Sequence, residues 1–479
     1  MNLRMLGYLF GILMTIEAAF LALPLATAAV YGESVLPFLY TIVLAMTLAL
    51  PLILLRPRDR RFYAREGFVA VAGSWILLSL IGAFPFVFSG AIPHYVDAFF
   101  ETVSGFTTTG ATILREIEGL PRGILLWRSF THWVGGMGVL VLMLAILPAD
   151  NSRAMHLLRA EVPGPTKGKL VPRLRESAKI LYGIYIVLTL LEGLALLIAG
   201  LPFYDALVTA LATAGTGGFS VLNASVAGYA NPAAEWIIAV FMLLFGINFN
   251  LYFFVLLGKF RSVLRNEELR TYLLIVLLAT GSILLNILPL YKSLGEALRA
   301  SFFQVTSIVS TTGFATADFT LWPTLSQVIV LFLMLAGASA GSTAGGLKIS
   351  RIIILFKNAV REVKHILRPR SVNVTRLDGV ALPEETVRAT STYLTLYLAV
   401  LLSSALLLSV DGLPVQTTFS ASLTCLSNVG PGLGALGPSG NFADLSLFSK
   451  LVLSVEMLFG RLEFFPLLIL FSPSTWKKM

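Results

Sequence analysis

Cysteine, histidine and charge are all scarce in this chain. One cysteine, Cys425, stands among 479 residues. That excludes an internal disulfide framework and a cysteine-based metal cluster, and leaves the redox compartment open. Histidine occurs only at positions 94, 132, 156 and 365, without metal-ligand spacing. Charged residues make up 13% of the chain against 56% hydrophobic, and the mean hydropathy is +0.83. A soluble domain carries about twice that share of charge.

What is abundant is long apolar stretches. Runs of about 20 residues recur, each long enough to cross a ~30 Å hydrocarbon core as a helix. Ten spans are expected, at about 5–30, 36–55, 67–89, 125–148, 179–200, 233–257, 271–290, 326–356, 391–409 and 447–472. The first resembles a signal peptide, with Arg4 ahead of it and "ATAA" at 26–29. Its apolar run is too long for a signal h-region, and a second span follows at once, so it reads as a retained helix.

The cations sort themselves along the spans. Arg56, Arg58, Arg60, Arg61 and Arg65 follow the second; Arg153, Arg159, Lys167, Lys169, Arg173 and Arg175 the fourth. Lys259, Arg261, Arg265 and Arg270 follow the sixth; Arg361, Lys364, Arg368, Arg370 and Arg376 the eighth; Lys477 and Lys478 end the chain. All lie after even-numbered spans, which makes those loops and both termini cytoplasmic. The opposite loops hold few: Arg115, Arg122, Lys292 and Arg299. The net charge of +9 therefore reports topology rather than nucleic-acid binding. A cytoplasmic partner docking on these clusters is a secondary reading.

The outward loops after spans three, five, seven and nine share one plan. Each has a short amphipathic segment, a turn rich in hydroxyls and glycine, then the next span. They read "AFFETVSGFTTTGATIL", "ALVTALATAGTGGFSVLN" (206–223), "SFFQVTSIVSTTGFATADF" (301–319) and "TFSASLTCLSNVGPGLGALG" (418–437). Aligned on a Thr-Gly or Val-Gly pair, the shared glycines are Gly110, Gly217, Gly313 and Gly430, separated by 107, 96 and 117 residues. This is one unit used four times. The expected fold is an all-α polytopic membrane protein with a fourfold pseudo-symmetric repeat of helix, pore helix, filter loop and helix. Two extra N-terminal helices precede it at 1–66, and the repeats fall at 67–178, 179–270, 271–390 and 391–479.

A segment of about 10 to 14 residues before each glycine is too short to span and suits a re-entrant half-helix. Irregular backbone at membrane depth must be buried in protein or line water. Four such turns converging on one axis would stack rings of carbonyl oxygens that replace a cation's hydration shell. The residues supplying them are Thr108, Thr109 and Gly110, Thr216 and Gly217, Thr312 and Gly313, and Asn428, Val429 and Gly430. Small-residue patches also serve tight helix packing. Four in register, after every odd span from the third onward, outweigh that reading.

The turns "TTTGAT", "TGGFS", "STTGF" and "SNVGPG" resemble the four filter signatures of the Trk/Ktr/HKT superfamily of potassium transporters. "HWVGGMGVLVLMLAILP" (132–148), "GINFNLYF" (246–253) and "FGRLEFFPLL" (459–468) are also similar, so the resemblance covers nearly the whole chain. The two extra spans are similar to the bacterial Trk-type membrane subunit. The resemblance implies K⁺ uptake across the bacterial inner membrane, a homodimer with one pore per protomer, and a separate cytoplasmic nucleotide-binding regulatory ring. It names K⁺ as the only ion cofactor and no organic one. Plant relatives that carry Na⁺ have serine at the first filter glycine; Gly110 favours K⁺. The fourth turn, with valine before its glycine, departs most from the pattern. A Na⁺-conducting member, or one coupled to H⁺ or Na⁺, is the alternative.

"GASAGSTAGGLK" (337–348) lies inside span eight. Gly337, Gly341, Gly345 and Gly346 would each weaken a helix by up to ~1 kcal/mol relative to alanine. They look like a broken helix whose loop reaches the pore below the filter, and the resemblance implies that this loop is an intramembrane gate. Arg461 lies about 14 residues into span ten, roughly 21 Å along a helix. A cation at that depth faces water or a partner. Glu456 and Glu463 are off helical pairing spacing, and the resemblance puts an arginine under the filter. Glu17, Glu192 and Glu456 are intramembrane carboxylates, read as structural pairing. "GLGALG" (432–437) has no preceding strand, and "GSTAGGLK" lacks Walker A spacing, so no nucleotide site is expected. Nothing resembles a catalytic cluster, which excludes an intramembrane enzyme.

Overall fold

The computed structural model describes residues 1–55, 57, 64–138, 174–370 and 373–476. Its helices are α1 (Leu3–Phe20), α2 (Ala22–Val30), α3 (Leu36–Leu54), α4 (Ala64–Gly82), α5 (Phe84–Phe88), α6 (Tyr95–Phe106), α7 (Arg122–Gly136), α8 (Leu174–Ile198), α9 (Phe203–Gly215) and α10 (Pro232–Phe245). Then come α11 (Phe249–Leu256), α12 (Phe260–Arg265), α13 (Glu267–Ile287), α14 (Leu294–Val309), α15 (Thr324–Ala336), α16 (Ile349–Leu367), α17 (Glu384–Leu408), α18 (Val415–Ser427), α19 (Leu447–Leu462) and α20 (Phe465–Phe471). A two-stranded antiparallel hairpin pairs Arg376–Leu377 with Val380–Ala381.

Six helical stretches among the described residues are long and apolar enough to cross a membrane unaided: Leu3–Val30, Leu36–Leu54, Arg65–Phe88, Glu176–Ile198, Glu267–Leu290 and Glu384–Asp411. Three of the other expected spans are interrupted. Span six is α10 and α11, bent by 91° at residues 246–248. Span eight is α15 and α16, separated by residues 337–348. Span ten breaks after α19, where Glu463 and Phe464 both have positive φ, 57° and 67°. Only the third of these breaks was unmarked by glycine or proline at the break itself. The second half of span four (139–148) and most cations after spans two and four lie outside the described residues.

The surface is inverted relative to a soluble protein. Leu190, Leu277, Leu285, Leu402 and Leu406 stand exposed on the long helices, whereas Thr107, Thr213, Thr306, Ser310 and Ser427 are fully buried. So much exposed leucine suits a hydrocarbon solvent. Buried hydroxyls are satisfied locally: Thr102, Thr107, Thr213 and Thr306 each donate to the carbonyl four residues earlier, at 2.6–2.9 Å. The short helices α6, α9, α14 and α18 carry this polar lining, surrounded by the long spans.

Helix starts follow ordinary capping chemistry. Asn231 accepts from the N–H groups of Ala233 and Ala234 ahead of Pro232. Ser293 accepts from Glu296 N at 3.2 Å to open α14. The N-terminal helix α1 packs on α3 and α4.

Candidate ion pathway

The four short helices end in the same way. Thr108, Thr216, Thr311 and Asn428 adopt left-handed backbone, with φ of 57°, 55°, 58° and 55°. Each donates its N–H to the carbonyl three residues earlier: Gly105, Thr213, Ile308 and Cys425. The next residue, Thr109, Gly217, Thr312 or Val429, donates to the carbonyl five residues earlier. This double bond pattern is a Schellman C-cap. Glycine normally occupies its left-handed position; here an asparagine, which tolerates it, and three threonines do, at a cost of about 1–2 kcal/mol for each threonine. Two residues after the left-handed one, Gly110, Gly218, Gly313 and Gly430 again have positive φ, 79°, 76°, 83° and 103°.

These turns close into a ring. A methyl group on Gly110 would overlap the carbonyl oxygen of Gly217, one on Gly218 that of Thr312, and one on Gly313 that of Val429. A methyl on Gly430 would approach the carbonyl oxygen of Thr109 at 2.6 Å. The cycle runs first turn to second, third, fourth and back to first. No side chain fits at the four glycines, and the carbonyls of Thr109, Gly217, Thr312 and Val429 sit one against each. A cavity of about 120 Å³ is lined by Gly110, Gly218, Gly313 and Gly430 together with residues of the loops that follow the first two turns and the fourth.

The second turn corrects the sequence alignment. Gly218, not Gly217, is equivalent to Gly110, Gly313 and Gly430, and Gly217 holds the place of Thr109. The shared glycines are thus 108, 95 and 117 residues apart. "TGG" offers two glycines, and backbone conformation chooses between them. The third turn likewise includes Thr311, which the sequence reading left out. Aligning on Thr-x-Gly rather than Thr-Gly would have found both.

Several side chains brace the ring. Glu101 accepts from Arg128 Nε at 2.9 Å, from Thr112 Oγ1 at 2.9 Å and from Ile113 N at 3.0 Å. Arg128 also donates to the Ser220 carbonyl at 3.1 Å and lies over the Phe219 ring, tying the first turn to the second. His132 sits beneath Gly217, with Nδ1 2.8 Å from the Gly105 carbonyl and Nε2 accepting from Phe219 N at 3.3 Å. Asn428 Nδ2 donates to Thr109 Oγ1 and to the Met457 carbonyl, both at 2.9 Å, joining the fourth turn to the first. The pairs Thr107–Thr109 and Ser310–Thr312 share hydroxyl hydrogen bonds at 2.8 and 2.7 Å across corresponding positions.

Residues 337–348 form a loop with a closed base. Leu347 N donates to the Leu335 carbonyl at 3.1 Å and Lys348 N to the Ala336 carbonyl at 3.0 Å. Gly337, Gly341, Gly346 and Lys348 have positive φ. Gly345 N donates to Thr311 Oγ1 at 2.7 Å, and a methyl on Gly345 would overlap the Ser427 carbonyl. The loop therefore touches the left-handed caps of the third and fourth turns. Its middle meets the bend in span six: Ser339 N donates to the Gly246 carbonyl, and Phe249 N to the Gly341 carbonyl.

Arg461 stands in the last turn of α19, beside a break, rather than midway along a continuous span. It donates to the Thr343 carbonyl at 2.8 Å and to the carbonyls of Gly135 and Gly136 at 2.5 and 2.6 Å. It thus joins the loop to the end of α7. The ion-pair candidates are engaged elsewhere: Glu463 with Arg351 at 2.6 Å, Glu456 with Ser422. The remaining intramembrane carboxylates are scattered. Glu192 lies beside Thr213, yet both of its oxygens lack a hydrogen-bond partner among the described residues. Glu17 is buried against Gly82, and neither of its oxygens has a hydrogen-bond partner among the described residues, contrary to the expected pairing.

Long lipid-facing helices around a polar interior, with four backbone turns closed into a ring, define a polytopic α-helical membrane protein. Residues 37–478 match the TrkH family of cation transport proteins, and the chain belongs to that family. It is 38% identical to the Trk system potassium uptake protein TrkH of Salmonella typhimurium and 37% identical to that of Escherichia coli, over 100% of each chain. The crystal structure of the potassium transporter TrkH from Vibrio parahaemolyticus matches with a TM-score of 0.89 at 34% identity, covering 100% of both chains. These relatives are transporters, not enzymes.

Proposed function

We propose that this chain is the K⁺-translocating membrane subunit of a Trk-type uptake system. Its ten spans comprise two N-terminal helices and four repeats, at 67–178, 179–270, 271–390 and 391–479. The closed cycle of glycine–carbonyl contacts around the four turns carries this reading. Carbonyl oxygens on one axis replace a cation's hydration shell. The filter is formed by Thr108–Gly110, Thr216–Gly218, Thr311–Gly313 and Asn428–Gly430. Below it, residues 337–348 and Arg461 form the gate: the loop obstructs the passage and the guanidinium repels cations in a low-dielectric setting.

The subunit sits in the bacterial inner membrane with both termini cytoplasmic, as a homodimer regulated by a nucleotide-binding ring at the basic cytoplasmic segments. Exposed Lys259, Arg261 and Arg265 on one such segment, and Arg368 and Arg370 on another, support that orientation. Reversal potentials of the purified protein in liposomes, under separate K⁺, Na⁺ and H⁺ gradients, test this. A potential that follows the K⁺ gradient is expected. One that follows Na⁺ instead would overturn the assignment, and one that also follows H⁺ would make the subunit a symporter.

A further inference from the structure

We infer that Glu268 is a positioning residue that holds the loop 337–348 in its obstructing arrangement. This rests on the reading of that loop as a gate. Glu268 is the second residue of α13 and only 4% exposed. A single carboxylate oxygen, Oε1, accepts two backbone N–H groups, Ala340 at 2.7 Å and Ser350 at 3.1 Å. Ala340 lies in the middle of the loop, and Ser350 is in the first turn of α16. One atom therefore ties the loop to the helix that follows it. Ser350 N–H is one of the donors that a helix N-terminus leaves without an intrahelical partner, and a carboxylate suits that end of the helix dipole. Ala340 is also buried, so its N–H needs an acceptor.

The carboxylate is set in place from the cytoplasmic side. Asn266 caps α13 by accepting from Leu269 N at 2.8 Å. Its Nδ2 donates to Asp378 Oδ2 at 2.8 Å, and Glu267 N donates to Asp378 Oδ1 at 2.6 Å. Asp378 is the turn of the hairpin 376–381, and Glu267 pairs with Lys357 on α16. The hairpin, α16, the first turn of α13 and the loop are one connected set. Withdrawal of the loop takes Ala340 N–H away from Glu268, so this bond stabilises only the obstructing arrangement and biases the equilibrium toward it.

The test is K⁺ flux of the purified full chain in liposomes, without its regulator, for four variants. Removing a hydrogen bond to a charged group shifts a two-state equilibrium by roughly tenfold. Glu268→Ala should raise basal flux by about that factor and leave the K⁺/Na⁺ permeability ratio unchanged. Glu268→Gln keeps an oxygen able to accept both N–H groups and should bring flux back toward wild type. Glu268→Asp, one methylene shorter, should fall between. Deleting Ala338 to Ala344 tests the gate itself. A deletion that raises flux beside a Glu268→Ala variant at wild-type flux would sink the role of Glu268 and keep the gate. If neither raises flux, the gate reading and this proposal fall together. Should Glu268→Ala not fold, Glu268→Asp decides: raised flux supports the proposal, wild-type flux overturns it. A rise accompanied by an altered K⁺/Na⁺ ratio would also overturn it, because that marks general damage to the pathway.

Discussion

At the residue scale, Gly217 and Gly218 are adjacent and not equivalent. Gly218 needs both its positive φ and its lack of a side chain, because any Cβ would collide with the Thr312 carbonyl. Gly218→Ala should therefore act like Gly110→Ser, displacing a ring carbonyl and lowering the K⁺/Na⁺ permeability ratio several-fold in liposomes. A folded, active Gly218→Ala or Gly110→Ser protein with an unchanged ratio would remove that glycine from the filter. Arg461 poses a different question, since it supplies both a charge and three hydrogen bonds. Arg461→Ala should raise K⁺ flux. Arg461→Lys separates the two contributions: it keeps the charge, but an ammonium lacks the guanidinium's planar fork for reaching carbonyls on two elements. Raised flux in the lysine variant would assign the effect to the hydrogen bonds, and wild-type flux would assign it to the charge.

At the element scale, the loop 337–348 is an insertion on a closed base. A methyl on Gly346 would come within 2.8 Å of the Gly337 Cα, so these two glycines already lie side by side. Removing Ala338 to Ala344 can therefore be spanned without disturbing the base bonds between 335–336 and 347–348. The deletion should raise basal K⁺ flux and leave ion preference as it was, since Gly345, the residue of the loop that meets the caps of the third and fourth turns, is retained. If the loop served only as packing, the same deletion would lower thermal stability and flux together, and both are measured on one preparation. The element bracing the first two turns should behave in the opposite way. Arg128→Met leaves the buried Glu101 without its cationic partner, keeping only Thr112 and Ile113 N as donors, and breaking such a pair costs about 3–5 kcal/mol. Thermal unfolding in detergent should show a marked loss, and the double variant Glu101→Gln with Arg128→Met should recover part of it.

For the whole molecule, orientation is the property most open to test. Cys425 is fully buried, so the native thiol should resist membrane-impermeant maleimide. Leu321→Cys, at an exposed site between α14 and α15, should label from outside intact cells. Ile366→Cys, exposed near the end of α16, should label only after permeabilisation. The reverse pattern would invert the topology.

Much of the design was legible in the sequence because membranes impose simple rules. Apolar run length marks membrane-crossing helices, and glycines at 337–346 marked the loop. Four turns of similar composition could be counted without knowing where they meet. Tertiary structure decided what depends on contact. Gly218 rather than Gly217 closes the ring because its neighbour is a carbonyl more than ninety residues away, at Thr312. The break after α19 lies at Glu463 and Phe464, just ahead of Pro466, which has no N–H to return to the Leu462 carbonyl; the proline marks the stop, and packing around Phe464 sets its geometry. Arg461 ends on carbonyls of the loop and of α7, and Glu268 on two backbone N–H groups, because helix breaks leave unpaired polar backbone that buried charges can satisfy. Sequence sets which charged side chains are available; only the fold determines which unpaired backbone group each one meets.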